Sequence, residues 1–258
     1  MSRARYHFSG VGGAGMSPLA RLMRARGHAV QGSDRAFDAG RNREAADALR
    51  AVGVELVPHD GRGVTGAIDR FVFSTAVEAE TPEMSAARAL DLPMVPRPAL
   101  LAELVNTGRP GVAVSGTSGK STITGMVAWL ARESGTSAAV IGGAALVGEG
   151  GGGCLVPGPG EGAVAAEACE SDGTLVGYHP AIGLIHNISR DHGELDWVRA
   201  QFARFAAQCG RLFVNARCPE ASALGHQRRI GHQERELLRR KAIDGLWLQA
   251  PARLGIPT

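Results

Sequence analysis

Residues 111–122 read GVAVSGTSGKST, an apolar run that ends in a loop of glycine and hydroxyl residues. This pattern predicts a buried strand, then a phosphate-binding loop, then a helix from Ser121 to Trp129. In such a loop backbone N–H groups surround phosphate oxygens, Lys120 neutralises the outer phosphates and the Ser121 hydroxyl holds Mg²⁺. Val114 replaces the glycine of the standard pattern, so the loop has the shorter form Gly-Thr-x-Gly-Lys-Ser. The predicted triphosphate-binding residues are Gly116, Thr117, Ser118, Gly119, Lys120, Ser121 and Thr122.

A second glycine loop lies near the start of the chain, where residues 10–15 read GVGGAG directly after a predicted strand. Asp34 follows the last of these glycines by 19 residues, at the end of the next predicted strand. The spacing is that of a dinucleotide-binding fingerprint, in which backbone approaches a pyrophosphate at a helix N-terminus. The pyrophosphate of NAD, FAD or a UDP-sugar fits equally well, and a purely structural turn is the alternative.

Acidic residues end a third apolar segment, where residues 167–172 read EACESD. Carboxylates at the end of a strand beside a phosphate loop are natural ligands for a hard Mg²⁺ ion, and a solvated loop is the alternative. A further strand runs into HNISRDH at residues 186–192, where His192 could hold a second metal ion or be an ordinary surface histidine.

Composition narrows the class of protein. The 258 residues include 36 glycines and only 5% aromatic residues, which favours α/β units with parallel sheets. The net charge is +3, but residues 226–258 carry seven Arg or Lys against three acids, so the rest offers no broad basic surface for nucleic acid. Neither an apolar span nor a signal peptide is visible, and the four cysteines form no metal or disulfide pattern. We expect no membrane partner and a cytoplasmic location.

Strands and helices alternate along the chain in a doubly wound pattern. Residues 106–110 read NTGRP, a polar break before the phosphate-loop strand. We therefore predict a Rossmann-like domain over residues 1–108, a P-loop α/β domain over residues 109–225, and a basic tail over residues 226–258 that contains a helix-like segment at 233–243.

Taken together, these motifs resemble the Mur ligase family. The resemblance rests on residues 7–17 (HFSGVGGAGMS), 32–34 (GSD), 116–122, 167–172 and 187–192, in the family's order. It covers about residues 6–224. The family's C-terminal domain and the last strands of its ATP-binding domain have no recognisable counterpart after Leu224, so we expect an incomplete central domain.

The resemblance implies an ATP-dependent ligase of peptidoglycan synthesis. In that family the carboxylate of UDP-N-acetylmuramate is activated as an acyl phosphate, and the amino group of an amino acid such as L-alanine, or of a peptide, forms the amide. The implied UDP-sugar residues are Gly12, Gly13, Ala14, Gly15, Met16, Ser33 and Asp34. Lys120 would contact the β- and γ-phosphates of ATP. Ser121 and Glu170 would hold one Mg²⁺ ion, and His192 a second, which makes Lys120, Glu170 and His192 the implied catalytic residues.

Three positions depart from the pattern of the alanine-adding members. Ser118 stands where they usually have histidine, Cys169 where they have aspartate, and Ser189 where they often have glutamate. Two other classes of function stay open: a protein that binds ATP and a UDP-sugar without turnover, and a nicotinamide-dependent oxidoreductase built on the first glycine loop alone.

Overall fold

The fold consists of two parallel β-sheets with helices packed against them, in a computed structural model that describes residues 3–74, 80–143, 154–155, 162–170, 173–189 and 195–227. The α/β class and the doubly wound organisation predicted from the sequence are confirmed. None of the helices in these described ranges is long and apolar enough to cross a membrane.

The first sheet has five parallel strands in the order β3-β2-β1-β4-β5. Its strands are β1 (Arg5–Ser9), β2 (Ala29–Ser33), β3 (Glu55–Leu56), β4 (Arg70–Phe73) and β5 (Met94–Pro96). Its helices are α1 (Ser17–Ala25), α2 (Arg35–Asp38), α3 (Arg43–Ala51), α4 (Pro82–Ala89) and α5 (Arg97–Thr107). Strand β2 lies on one side of β1 and β4 on the other, so the direction of the connections reverses at β1. In doubly wound sheets, ligands bind in the crevice at the carboxyl end of the strands at such a point.

The second sheet has six strands in the order β11-β10-β6-β9-β7-β8. Its strands are β6 (Gly111–Ser115), β7 (Ala138–Ile141), β8 (Cys154–Leu155), β9 (Ala163–Glu167), β10 (Ile182–Ile185) and β11 (Arg211–Val214). Its helices are α6 (Lys120–Glu133), α7 (Leu195–Gln208) and α8 (Pro219–Gln227), with a short 3-10 helix at Thr174–Gly177. Only β8 runs antiparallel among these strands. The phosphate-loop strand β6 is therefore central, between β9 and β10.

Most element types agree with the sequence predictions, and the differences lie at boundaries and in short pieces. The helix predicted from Ser121 to Trp129 extends over Lys120–Glu133, and the strand predicted to run into residues 186–192 ends at Ile185. Short elements such as β3, β5 and α2 were not predicted, because two to four residues carry too little periodicity to be recognised. The helix-like segment at residues 233–243 lies outside the described residues.

Helix α5 is shared by the two sheets. It packs on β4 and β5 of the first sheet and on β6 and β9 of the second. Buried side chains from both sheets consequently form one continuous apolar core. The predicted boundary between residues 108 and 109 falls just after this helix and before β6, and it stays a prediction.

A buried polar network, which no local sequence pattern predicts, lies beneath the first glycine loop. Glu83, in the first turn of α4, is fully buried and contacts two histidines: Oε1 lies 3.1 Å from Nε2 of His7, and Oε2 lies 2.9 Å from Nδ1 of His59. The Ser9 hydroxyl donates to Oε2 at 2.6 Å, and the Ser33 hydroxyl lies 3.0 Å from the same nitrogen of His59. The network fixes the carboxyl ends of β1 and β2.

Burial raises the pKa of the Glu83 carboxyl, but hydrogen bonding and charge attraction from His7, with hydrogen bonds from Ser33 and Ser9, outweigh it. The pKa of Glu83 is therefore lowered from its ordinary value of 4.5. A group whose pKa is lower in the folded state stabilises the fold above its unfolded pKa. That contribution is lost as the pH falls through the folded value.

We predict that Glu83→Gln lowers the free energy of unfolding at pH 7 by about 1–3 kcal/mol, because charge-assisted hydrogen bonds are lost from a buried site. The difference between the variant and the unchanged chain should shrink as the pH falls below 4.5. Urea unfolding followed by circular dichroism at pH 7, 5 and 3.5 measures both effects. A difference that is the same at every pH would contradict the role of the charge.

Candidate functional site

The phosphate loop joins β6 to α6 at the carboxyl edge of the second sheet. Gly119, the residue before the helix, has φ 77°, a left-handed conformation that favours glycine. A Cβ at this position would also lie 3.1 Å from the ring of His186, which follows the neighbouring strand β10. The loop therefore turns sharply, and the first N–H groups of α6 are left without helical partners, as in anion-binding loops.

Asn187 holds the loop in place from the end of β10. Its side-chain oxygen accepts hydrogen bonds from Ser118 N at 2.9 Å and from Thr117 Oγ1 at 3.0 Å, and its backbone oxygen accepts one from Thr117 N at 3.1 Å. Its side-chain nitrogen donates to Ser118 Oγ at 2.7 Å. The Ser189 hydroxyl lies 2.8 Å from Thr117 Oγ1. The sequence does not predict this role of Asn187, because its partners lie about 70 residues away along the chain.

Lys120 is buried and forms an ion pair with Glu170. The distances from its Nζ atom are 3.0 and 3.3 Å to the two carboxylate oxygens of Glu170 and 2.7 Å to the backbone oxygen of Gly116. The Lys120 side chain is 10% exposed and that of Glu170 fully buried. Lys120 thus lies at the loop, where the resemblance places it, with its charge compensated by a neighbouring carboxylate.

Ser121 contacts a different carboxylate. Its hydroxyl donates to Glu167 Oε2 at 2.9 Å, and the same oxygen accepts a hydrogen bond from Gly143 N at 2.9 Å. Glu167 is the last residue of β9, which lies beside β6 with Val114 opposite Glu167. The resemblance implies that Ser121 and Glu170 hold one Mg²⁺ ion together, and that ligand set stays a prediction; in the structure Ser121 contacts Glu167, and Glu170 contacts Lys120.

Some residues of the acidic and histidine motifs lie outside the described part of the chain. His192, the expected second metal ligand, lies outside the described residues, as do Ser171 and Asp172. Within the described ranges, no group of three or more His, Cys, Asp or Glu side chains is arranged as a metal site.

At the first glycine loop, Asp34 bonds backbone amides. Its two carboxylate oxygens accept from Gly12 N at 2.9 Å and from Ala36 N at 2.8 Å, which fixes the loop and begins α2. A Cβ on Gly12 would lie 2.7 Å from the ring of Phe37, so a side chain at that position would collide with α2. The loop and the end of β2 are thus held against each other, as a pyrophosphate-binding turn requires.

Three further residues refine the expected UDP-sugar set. Met16 is 2% exposed and belongs to the apolar core, so a ligand would reach its backbone rather than its side chain, and its role in binding stays a prediction. The Ser33 hydroxyl is engaged with His59. Arg97, which the sequence analysis did not single out, lies beside the loop: its side chain is 3.1 Å from the Cβ that Gly15 lacks. This cation was missed because it begins α5, far along the chain.

Comparison with known proteins adds to this geometry. Residues 5–109 match the Mur ligase family, catalytic domain. The UDP-N-acetylmuramate–L-alanine ligase of Symbiobacterium thermophilum is 42% identical over 205 residues, which are 79% of this chain and 40% of that protein. This chain therefore spans about 40% of the length of that curated relative.

Solved structures give the same relationship. The UDP-N-acetylmuramate-alanine ligase of Thermotoga maritima has a TM-score of 0.72 and 27% identity, over 85% of this chain and 51% of that chain. A UDP-N-acetylmuramate:L-alanyl-gamma-D-glutamyl-meso-diaminopimelate ligase from Neisseria meningitides has a TM-score of 0.71 over 88% of this chain and 76% of that chain; its 20% identity shows the shared fold alone. By sequence and by fold, this chain belongs to the Mur ligase family, and it corresponds to part of the length of the family's members.

Proposed function

We propose that this chain binds UDP-N-acetylmuramate at its first glycine loop and Mg-ATP at its phosphate loop, as part of an amide-forming ligase of peptidoglycan synthesis. The observation that carries the proposal is the phosphate loop itself. The loop is already folded and held by Asn187, with Lys120 and the Ser121–Glu167 pair beside it. The substrates are inferred from the activities of the relatives, which are UDP-N-acetylmuramate–L-alanine ligases.

On the nucleotide side, Thr117 N and Ser118 N already donate to Asn187, so the N–H groups from Gly119 to Thr122 are the ones offered to phosphate oxygens. Lys120 supplies the charge that the outer phosphates need. The Ser121 hydroxyl and the Glu167 carboxylate are hard oxygen donors 2.9 Å apart, which fits Mg²⁺ and would hold it against the phosphates. When bound, Mg²⁺ would neutralise charge that develops on the transferred phosphoryl group.

On the sugar side, Gly12, Gly13 and Gly15 allow the diphosphate to approach backbone. Arg97 adds a cation beside Gly15, where an arginine fork matches phosphate oxygens. Asp34 contributes indirectly, because both of its oxygens bond backbone amides and shape the loop.

The proposed reaction has two steps. A carboxylate oxygen of the muramyl group attacks the γ-phosphorus of ATP, the bond to the β-phosphate oxygen breaks, and an acyl phosphate and ADP form. The amino nitrogen of L-alanine, or of a peptide, then attacks the acyl carbon; phosphate leaves, a proton is released, and the amide remains. In the first step this chain contributes positioning and charge: Lys120 stabilises the phosphates and Asn187 keeps the loop in register.

Turnover separates this proposal from binding alone. Phosphate release that depends on L-alanine, UDP-N-acetylmuramate and ATP together would show that these 258 residues carry catalysis, whereas binding of both nucleotides without release would favour the binding protein. The nicotinamide-dependent alternative loses support because the relatives that share the first glycine loop are ligases. A cytoplasmic location stays a prediction.

The two binding sites predict a reciprocal pair of variants. Lys120→Ala should weaken Mg-ATP binding at least about tenfold, because the cation at the phosphates is lost, and leave UDP-N-acetylmuramate binding within about twofold. Arg97→Gln should do the reverse. Isothermal titration of both variants with both ligands measures the four affinities. Equal loss of both ligands in one variant with an intact circular dichroism spectrum would contradict two separate sites.

A second prediction concerns the metal. Glu167→Gln should weaken the Mg²⁺ dependence of ATP binding by about tenfold or more, because a neutral amide is a poorer ligand for a hard cation. The measurement is ATP affinity across a Mg²⁺ titration. The control is Asp172→Asn, the other acid of the motif outside the Lys120 pair; an effect there and none at Glu167 would move the metal site.

A third prediction concerns the loop. Asn187→Ala removes the side-chain bonds to Thr117 and Ser118, so the loop must be ordered by the ligand instead. We expect Mg-ATP affinity to fall about three- to thirtyfold, the equivalent of one or two lost hydrogen bonds. Backbone amide exchange at Thr117 and Ser118 should accelerate in the free variant. Unchanged exchange at these two amides would show that Asn187 does not hold the loop.

A further inference from the structure

Glu170 is the charged group of the nucleotide site that the proposed function does not use. The metal side of the loop is formed by Ser121 and Glu167, and the resemblance gave Glu170 to the metal, but the structure gives it to Lys120. Glu170 is fully buried three residues beyond the end of β9, and both of its oxygens lie within 3.3 Å of Lys120 Nζ. A carboxylate in such a place has an electrostatic consequence for any anion that reaches Lys120.

In the nucleotide-free protein, Lys120 and Glu170 neutralise each other's charge. Lys120 has a carboxylate and the Gly116 carbonyl as partners, so its charge is compensated although it is buried. A phosphate oxygen that contacts Nζ meets a cation whose charge the Glu170 carboxylate already compensates. With ordinary contact distances on both sides of the ammonium group, that oxygen and the Glu170 carboxylate lie on the order of 6 Å apart, with little water between them.

The geometry points to Glu170 as the resident counter-ion of Lys120, a positioning residue that makes the loop discriminate against anions that arrive without a metal ion. This inference rests on the proposed nucleotide site and deepens it. An anion such as inorganic tripolyphosphate or metal-free ATP competes with Glu170 for Lys120 and is repelled by it. Mg-ATP brings cationic charge that offsets the repulsion, so the metal complex is the form that the site accepts.

Two other roles for Glu170 make opposite predictions. If Glu170 were a metal ligand, removing its charge would weaken Mg-ATP and leave metal-free ATP alone. If it only supported the shape of the loop, removing its charge would weaken both forms, because the buried Lys120 would lose its anchor. Only a counter-ion role predicts that a metal-free anion binds more tightly after the change.

The test is Glu170→Gln, which keeps the shape of the side chain and removes its charge. Metal-free ATP and tripolyphosphate, titrated with excess EDTA, should bind at least about tenfold more tightly than to the unchanged chain, which corresponds to a repulsion of about 1.4 kcal/mol. The affinity for Mg-ATP should change by a smaller factor. The ratio of the Mg-ATP affinity to the metal-free ATP affinity should therefore be smaller in the variant than in the unchanged chain. Glu167→Gln is the matched control: it removes the carboxylate that contacts Ser121, so it should lower the affinity for Mg-ATP and strengthen the binding of metal-free anions by less than Glu170→Gln does.

Unchanged or weaker binding of metal-free anions to folded Glu170→Gln would overturn the inference while Mg-ATP binding by the unchanged chain still supported the nucleotide site. Absence of nucleotide binding by the folded unchanged chain would instead remove the site, and the inference with it.

Thermal unfolding provides a second measurement, since loss of a buried partner destabilises a fold. Tripolyphosphate without metal should raise the melting temperature of Glu170→Gln more than that of the unchanged chain, because the anion replaces the missing charge. An equal or smaller rise would overturn the inference, as would the failure of tripolyphosphate to fold a variant that is unfolded without it.

Discussion

The position of β6 between β9 and β10 is the constraint on which the candidate site depends. Because the three strands are parallel and in register, their carboxyl ends meet at one edge, and each supplies a different part: β6 the loop, β9 the carboxylates, β10 the amide of Asn187. Val114 lies opposite both Leu184 and Glu167, so a slip of one residue in either pairing would turn these side chains to the wrong face of the sheet.

The two glycine loops use the same device. In each, a side-chain oxygen within two residues of the end of a neighbouring strand accepts a hydrogen bond from a loop N–H group: Asp34 from Gly12 and Asn187 from Ser118. The two accepting side chains differ in their other hydrogen bonds. Asp34 is charged and spends both oxygens on backbone, whereas the amide of Asn187 both accepts and donates and so ties the loop in two directions. Each glycine loop is therefore held in its folded conformation by a side chain from the end of an adjacent strand.

Much of this could be predicted from the sequence, because the strands, the two loops and the position of Lys120 are local patterns in which a few consecutive residues determine the structure. What could not be predicted depends on distance along the chain or on the end of a strand. Glu167 and Glu170 are chemically identical and three residues apart, and the local sequence does not tell which of them contacts Ser121. Arg97 and Glu83 reach their sites from other helices, with partners 74 to 76 residues away in the case of Glu83. The local periodicity of the sequence cannot predict contacts between residues so far apart along the chain.

Helix α5 has a mechanical consequence. It begins at Arg97, beside the first glycine loop, and ends just before the strand that leads to the phosphate loop, while its buried face packs on both sheets. An 11-residue helix is a rod about 16 Å long, and rods transmit displacement where a flexible linker would absorb it. If Arg97 contacts the diphosphate as proposed, a displacement of its side chain would be carried along α5 toward β6. Rotation of one sheet against the other would have to repack the face of α5 that both sheets share.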